Sequence, residues 1–133
     1  MADPRMKIPN VDHPIAIEPN PARIVVRVAG HVVADTRNAL TLREANRPPV
    51  LYMPRGDIDR TVLTRTATTS FCPYKGDASY YTITVGDDVR ADAAWAYETP
   101  FRAVDAIVDH IAFYPDRVDV IEAWDDAEAG HDR

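Results

Sequence analysis

The sequence predicts a mainly β fold: a small single domain of antiparallel strands with one short helix near its C-terminal part. Three observations carry this. From Arg23 onward, apolar residues recur with the period of two that a strand imposes. The alternating runs are short and are punctuated by Gly, Pro, Asn and Asp, the residues that turns require. One stretch alone, over 100–109, spaces its apolar residues as a helix does.

A chain of 133 residues has the size of one domain. Folding at this length buries roughly two-thirds of the surface of the unfolded chain, so no metal or disulfide staple is required. The organisation reads as an extended, proline-rich N-terminal arm over 1–22, a single β domain over 23–124 and a flexible acidic tail over 125–133. Cys72 is the sole cysteine, and His13, His31, His110 and His131 are scattered without paired ligand spacing. No metal and no cofactor are therefore expected.

No apolar run approaches the roughly 18 residues of a membrane span. Residues 1–7 lack the apolar centre of a secretory signal, so a cytoplasmic setting is expected, with no membrane partner. The net charge of −6 disfavours nucleic acid as a partner. Net charge does not fix local charge, and a basic pocket for one small anion is compatible with it.

In chain order, Pro4, Pro9, Pro14, Pro19 and Pro21 keep the arm extended, with Ile15 and Ile17 able to dock as an edge segment. Arg23 to Val28 alternate as a strand, Ala29-Gly30-His31 turn, and 31–35 return as its hairpin partner. Leu40 and Leu42 mark a third strand, ended by Asn46-Arg47-Pro48-Pro49, and 50–53 a fourth. Residues 62–69 are rich in β-branched types and lead in extended form into a loop over 70–81. Tyr81, Ile83 and Val85 alternate in a strand that turns at Gly86-Asp87-Asp88. Val89, Ala91, Ala93, Trp95 and Tyr97 then share one phase of the partner strand, unless a bulge breaks the register. Thr99-Pro100 reads as an N-cap before a helix over 100–109, and Val118, Val120 and Ile121 as a last strand.

The stretch 70–81 holds the only cysteine, a lysine, a glycine and four aromatics, more chemistry than a connector needs. Cys72 is a candidate nucleophile if a cation lowers its pKa, and Lys75 stands three residues on. His110 is a candidate distant base. A small buried hydrophobe is the plainer reading of a free cysteine. Lys75-Gly76 joins a point charge suited to phosphate or carboxylate with a backbone that lets a ligand approach. Tyr74, Trp95 and Tyr97 can wall a pocket or simply fill a core. Arg55, at a strand end, can fork onto an anion. Asp57, Asp59, Asp87 and Asp88 fit turn chemistry better than acid–base catalysis.

Four segments resemble one family. Pro48-Pro49-Val50-Leu51-Tyr52-Met53-Pro54-Arg55-Gly56-Asp57-Ile58 is similar to its PPVYYFPREDV-like segment, with Gly56 where the family more often has an acid. Cys72-Pro73-Tyr74-Lys75-Gly76-Asp77-Ala78-Ser79-Tyr80 resembles its CPYKGxAxY signature. Ala94-Trp95-Ala96-Tyr97 followed by Pro100 is similar to AWxYxxP, and Ile111 to Val118 to VAFYxxRV. The family is domain of unknown function 427, sometimes labelled nucleotidyltransferase-like. The resemblance implies a compact, mainly β fold with two sheets set as a tent. Similar tent folds often carry a cysteine zinc site, for which this chain has no ligands.

The reading that these residues favour is a pocket around the Cys72-Pro73-Tyr74-Lys75-Gly76 loop that takes a small anionic, ring-bearing ligand. Lys75 and Arg55 would hold the anion, Gly76 would admit the backbone, and Tyr74, Trp95 and Tyr97 would cover the ring. Two rivals stand beside it: a group-transfer enzyme using Cys72 or Lys75, and a protein-interaction module working through a sheet edge or the arm.

Overall fold

The computed structural model describes residues 3–124. Among them, ten strands follow one another: β1 (Ile15–Asn20), β2 (Arg23–Val28), β3 (His31–Thr36), β4 (Ala39–Glu44) and β5 (Val50–Pro54), then β6 (Leu63–Cys72), β7 (Gly76–Val85), β8 (Asp88–Ala96), β9 (His110–Phe113) and β10 (Val120–Trp124). Seven form an antiparallel sheet in the order β1-β4-β5-β9-β8-β7-β6, curved as a half-barrel, and β10-β2-β3 form a second antiparallel sheet. The chain is thus a mainly β domain of two sheets. No described helix is long and apolar enough to cross a membrane.

Local chemistry explains the hairpins. Ala29 and Gly30 both adopt positive φ, 51° and 77°, which matches the twist of the flanking strands in a two-residue turn. Ile15 and Ile17 belong to β1, which pairs with β4 at the sheet edge. Gly86 and Asp87 turn β7 into β8.

The shared phase expected from Val89 to Tyr97 does not hold. The β7–β8 ladder shifts register between Tyr81 and Ile83, and Asp92 takes a positive φ of 47°. Val89 is consequently 61% exposed while Ala93 is fully buried. Asp92 is held there by Thr66 and Thr68, whose hydroxyls donate to its carboxylate at 2.7 Å each. Those threonines lie where the β6–β7 ladder also slips, between Arg65 and Thr69, so two bulges brace one another.

Two further expectations are corrected. The loop over 70–81 is a hairpin: β6 runs through Cys72, a turn occupies 73–75, and β7 starts at Gly76. The helix over 100–109 is a 3-10 segment, Arg102–Ile107, kinked at Val104 (φ −126°, ψ 24°), with no side-chain cap. Phe101, Val104 and Ile107 recur at intervals of three, the period of a 3-10 turn rather than an α-helix. The predicted tail over 125–133 falls outside the described residues.

Two apolar clusters occupy opposite faces of the large sheet. Between the sheets, Ile24, Val26 and Val28 meet Met53, Ile83, Ile111 and Phe113. On the other face, Leu42, Tyr52, Ala78, Tyr97 and Ala112 pack with Val104 and Ile107 of the 3-10 segment. Each fully buried aliphatic side chain contributes roughly 1.5–3 kcal/mol. The neighbours Tyr52 and Met53, like Ile111 and Ala112, divide between the clusters as strand alternation demands. The candidate site opens on the second face.

Candidate functional site

The site begins with the turn after β6. Lys75 N–H donates to the Cys72 carbonyl at 3.2 Å, and the Lys75 carbonyl accepts from Phe101 N–H at 3.0 Å. Gly76 follows at φ +111°, a conformation that residues with a side chain rarely adopt, which explains why glycine stands here. Fixed on both sides, Lys75 sends its side chain inward and is 6% exposed.

Its ammonium meets the Glu44 carboxylate at the end of β4. Glu44 also accepts from His13 Nε2 at 2.7 Å and lies 3.5 Å from Arg47 Nη1. Burial alone would raise the Glu44 carboxyl pKa, but the bonds from Lys75 and His13 outweigh it and hold it below its ordinary value. Lys75 and Arg47 thus face one carboxylate, and Arg47 remains 65% exposed.

These groups line a cavity of about 190 Å³ with Tyr52, Trp95 and Tyr97. Tyr80 and Tyr114 complete its aromatic wall. The rings brace each other: Trp95 lies 4.3 Å from Tyr114 and meets Tyr52 edge-on at 6.3 Å. The Tyr97 ring is 5.9 Å from Lys75 Nζ, within cation–π reach. Burial pushes the phenols of Tyr52 and Tyr97 above their usual range. Burial, then the hydrogen bond with Tyr80, takes Tyr114 up to about 12. These phenols are neutral hydrogen-bonding groups at physiological pH.

The N-terminal segment crosses the outside of the turn. The His13 ring stacks on Tyr74 at 3.9 Å and 6° between planes, and the Arg5 guanidinium sits 3.7 Å above Phe71. Lys7 N–H donates to the Pro73 carbonyl at 2.8 Å.

The structure brings together Lys75, Trp95 and Tyr97 of the residues singled out in the sequence. Tyr74 is covered by His13, and Gly76 acts through the backbone beside Thr99. Cys72 packs half-buried against the second cluster without lining the cavity, and the Lys75 charge expected beside it is engaged by Glu44. His110 Nδ1 donates to the Val108 carbonyl at 2.7 Å, away from the cavity lining. Arg55 stands in a separate cluster. It donates to the Tyr81 hydroxyl at 3.0 Å and lies 3.8 Å from Glu98, on the face where Tyr81 joins the inter-sheet core. Glu98 also accepts from Ser79 and Arg65, at 2.7 and 2.6 Å. Among the described residues, no group of three His, Cys, Asp or Glu side chains could hold a metal ion.

Sequence reasoning missed Glu44, His13 and Arg47. One signal was available: Glu44 continues the phase of Leu40 and Leu42, so strand alternation points its carboxylate inward with the leucines.

Fold and site together define a compact two-sheet β domain with one ion-paired, aromatic-walled cavity. The chain belongs to the family described as Domain of unknown function (DUF427), whose model matches residues 16–123. No curated protein matches it.

Proposed function

We propose that this domain binds a small organic anion in the cavity between Lys75 and Trp95. The charged group would lie between Lys75 Nζ and the Arg47 guanidinium, and the apolar body against Trp95, Tyr97 and Tyr80. One observation carries the reading: a buried lysine and a solvent-facing arginine converge on an aromatic-walled hollow whose lining holds a single carboxylate, leaving one positive charge in excess. Cations with donors at the rim and flat apolar walls are what recognition of an organic anion requires. Arg55, committed to Tyr81 and Glu98, is left out of this role. The pairing of Lys75 with Glu44 favours binding over group transfer through that amine.

The test is thermal unfolding against a panel of carboxylates, sugar phosphates and nucleotides. A ligand at about a hundred times its dissociation constant stabilises by roughly 2.7 kcal/mol, a shift of several degrees at this size. Arg47→Ala, on an exposed loop, should remove the shift without lowering the Tm of the free protein. Lys75→Met should remove it too. A panel in which no anion shifts the Tm would overturn the reading.

A further inference from the structure

A second hollow adjoins the first. It has a volume of about 620 Å³, and apart from Arg47 its lining is wholly apolar, with Leu51, Met53, Phe113 and Ile121 among it. Leu51, Met53 and Phe113 belong to the inter-sheet side of the large sheet, with Ile121 of β10 opposite, whereas the first hollow opens on the other face. Yet both hollows share Arg47, Pro48, Val50 and Trp95.

The pairing explains how they meet. The β5–β9 ladder consists of Met53↔Ile111 and Pro54↔His110. Val50, Leu51 and Tyr52 pair with β4 on one side and have no ladder partner on the β9 side. Beyond Phe113 the chain stays joined to β8, with Tyr114 N–H donating to the Ala93 carbonyl at 2.9 Å, so the sheet parts between the start of β5 and residues 112–114. Trp95, paired with Ala112 where that gap begins, lines both hollows, and so does Arg47.

We infer that the ligand is an amphiphilic monoanion, an alkyl carboxylate, whose head rests between Lys75 and Arg47 and whose chain passes Trp95 through this gap into the apolar groove. The inference rests on the anion site proposed above and extends it to a substrate class. The charge argues for a monoanion, since Lys75 and Arg47 against Glu44 leave one formal positive charge to neutralise. The groove argues for a flexible aliphatic chain: its volume falls in the range of small-molecule sites, and it offers no polar partner beyond the Arg47 shared with the head site.

Calorimetric titration of the intact chain with sodium hexanoate, octanoate and decanoate tests this. Each added methylene should tighten the dissociation constant by about 4-fold, the value of one buried CH₂. Pro49→Glu places a carboxylate at the groove mouth on an exposed loop, and Ile121→Gln makes its wall polar. Both should flatten the chain-length series while leaving phenylacetate, a short anion, bound as in the parent. If Ile121→Gln lowers the Tm, Pro49→Glu alone decides. Affinity independent of chain length, or a chain-length series unchanged in both variants, overturns the inference while Arg47-dependent binding of short anions still stands. Failure of every carboxylate to bind overturns the inference alone; the anion site falls with it only where the sugar phosphates and nucleotides of the panel leave the Tm unmoved too.

Discussion

Lys75 and Glu44, 31 positions apart in the chain, form an ion pair whose side chains are only 7% and 5% exposed. The Lys75 side has one carboxylate partner, while Glu44 has His13 and Arg47 in addition. That asymmetry makes the two ends of the pair unequal in mutation.

Glu44→Gln leaves Lys75 buried without a counter-charge, and should cost about 3–5 kcal/mol. Lys75→Met should cost less, because His13 and Arg47 still serve the carboxylate. The double variant should recover part of the Glu44→Gln loss. Urea unfolding of the three variants checks this, and a Glu44→Gln cost below about 1 kcal/mol contradicts it.

Acid should unmake the same pair. The folded-state pKa of Glu44 lies below its ordinary 4.5, so the unfolded chain takes up this proton first as pH falls. The stability this group supplies is full above about pH 5 and is lost as pH drops through the folded value. The Tm should be level from pH 7 to 5 and fall below 4.5, less steeply in Glu44→Gln. Equal slopes in the two proteins would assign acid sensitivity to other carboxylates.

Gly76→Ala should destabilise by about 1–3 kcal/mol, since φ +111° is unsuited to a side chain. Gly56, where a side chain meets open space and φ is ordinary, provides the contrast. Gly56→Ala should stay within about 0.5 kcal/mol of the parent. Comparable losses at both glycines would refute the backbone account of Gly76.

His13→Ala removes the stack on Tyr74 and the bond to Glu44, with an expected cost of about 2 kcal/mol. It should also release the segment that precedes it. Hydrogen exchange at the Lys7 amide, which donates to Pro73, should accelerate in the variant; unchanged exchange there would show that Arg5 and Phe71 anchor the segment alone.

Much of the fold was legible because its signals are local. The alternation of Ile24, Val26 and Val28, the Ala29-Gly30 turn and the Gly86-Asp87 turn each reside within a few residues. The segment over 100–109 misled because spacings of three and four overlap between helix types, and Phe101, Val104 and Ile107 obey the shorter period. The site was legible by half. Lys75 and Trp95 stood out by residue type, but the partners that define their chemistry lie far back in the chain: Glu44 stands 31 positions before Lys75, and His13 earlier still. The stack of His13 on Tyr74 depends on where β1 and β4 bring the arm, which no local pattern encodes. Arg55 stands out as a guanidinium at a strand end able to fork onto an anion, but it lies in the 3-10 turn Arg55–Asp57 just past β5 and is taken up by Tyr81 and Glu98.

The bulge that Asp92 stabilises has a consequence for how copies of this chain behave beside one another. The large sheet ends on β1 and β6, and rows of open backbone groups at such borders invite fibril growth. Pro19 removes one donor from β1, and the slip between Arg65 and Thr69 bends β6 out of register. A further strand seeking to extend the large sheet would find neither of its borders continuous.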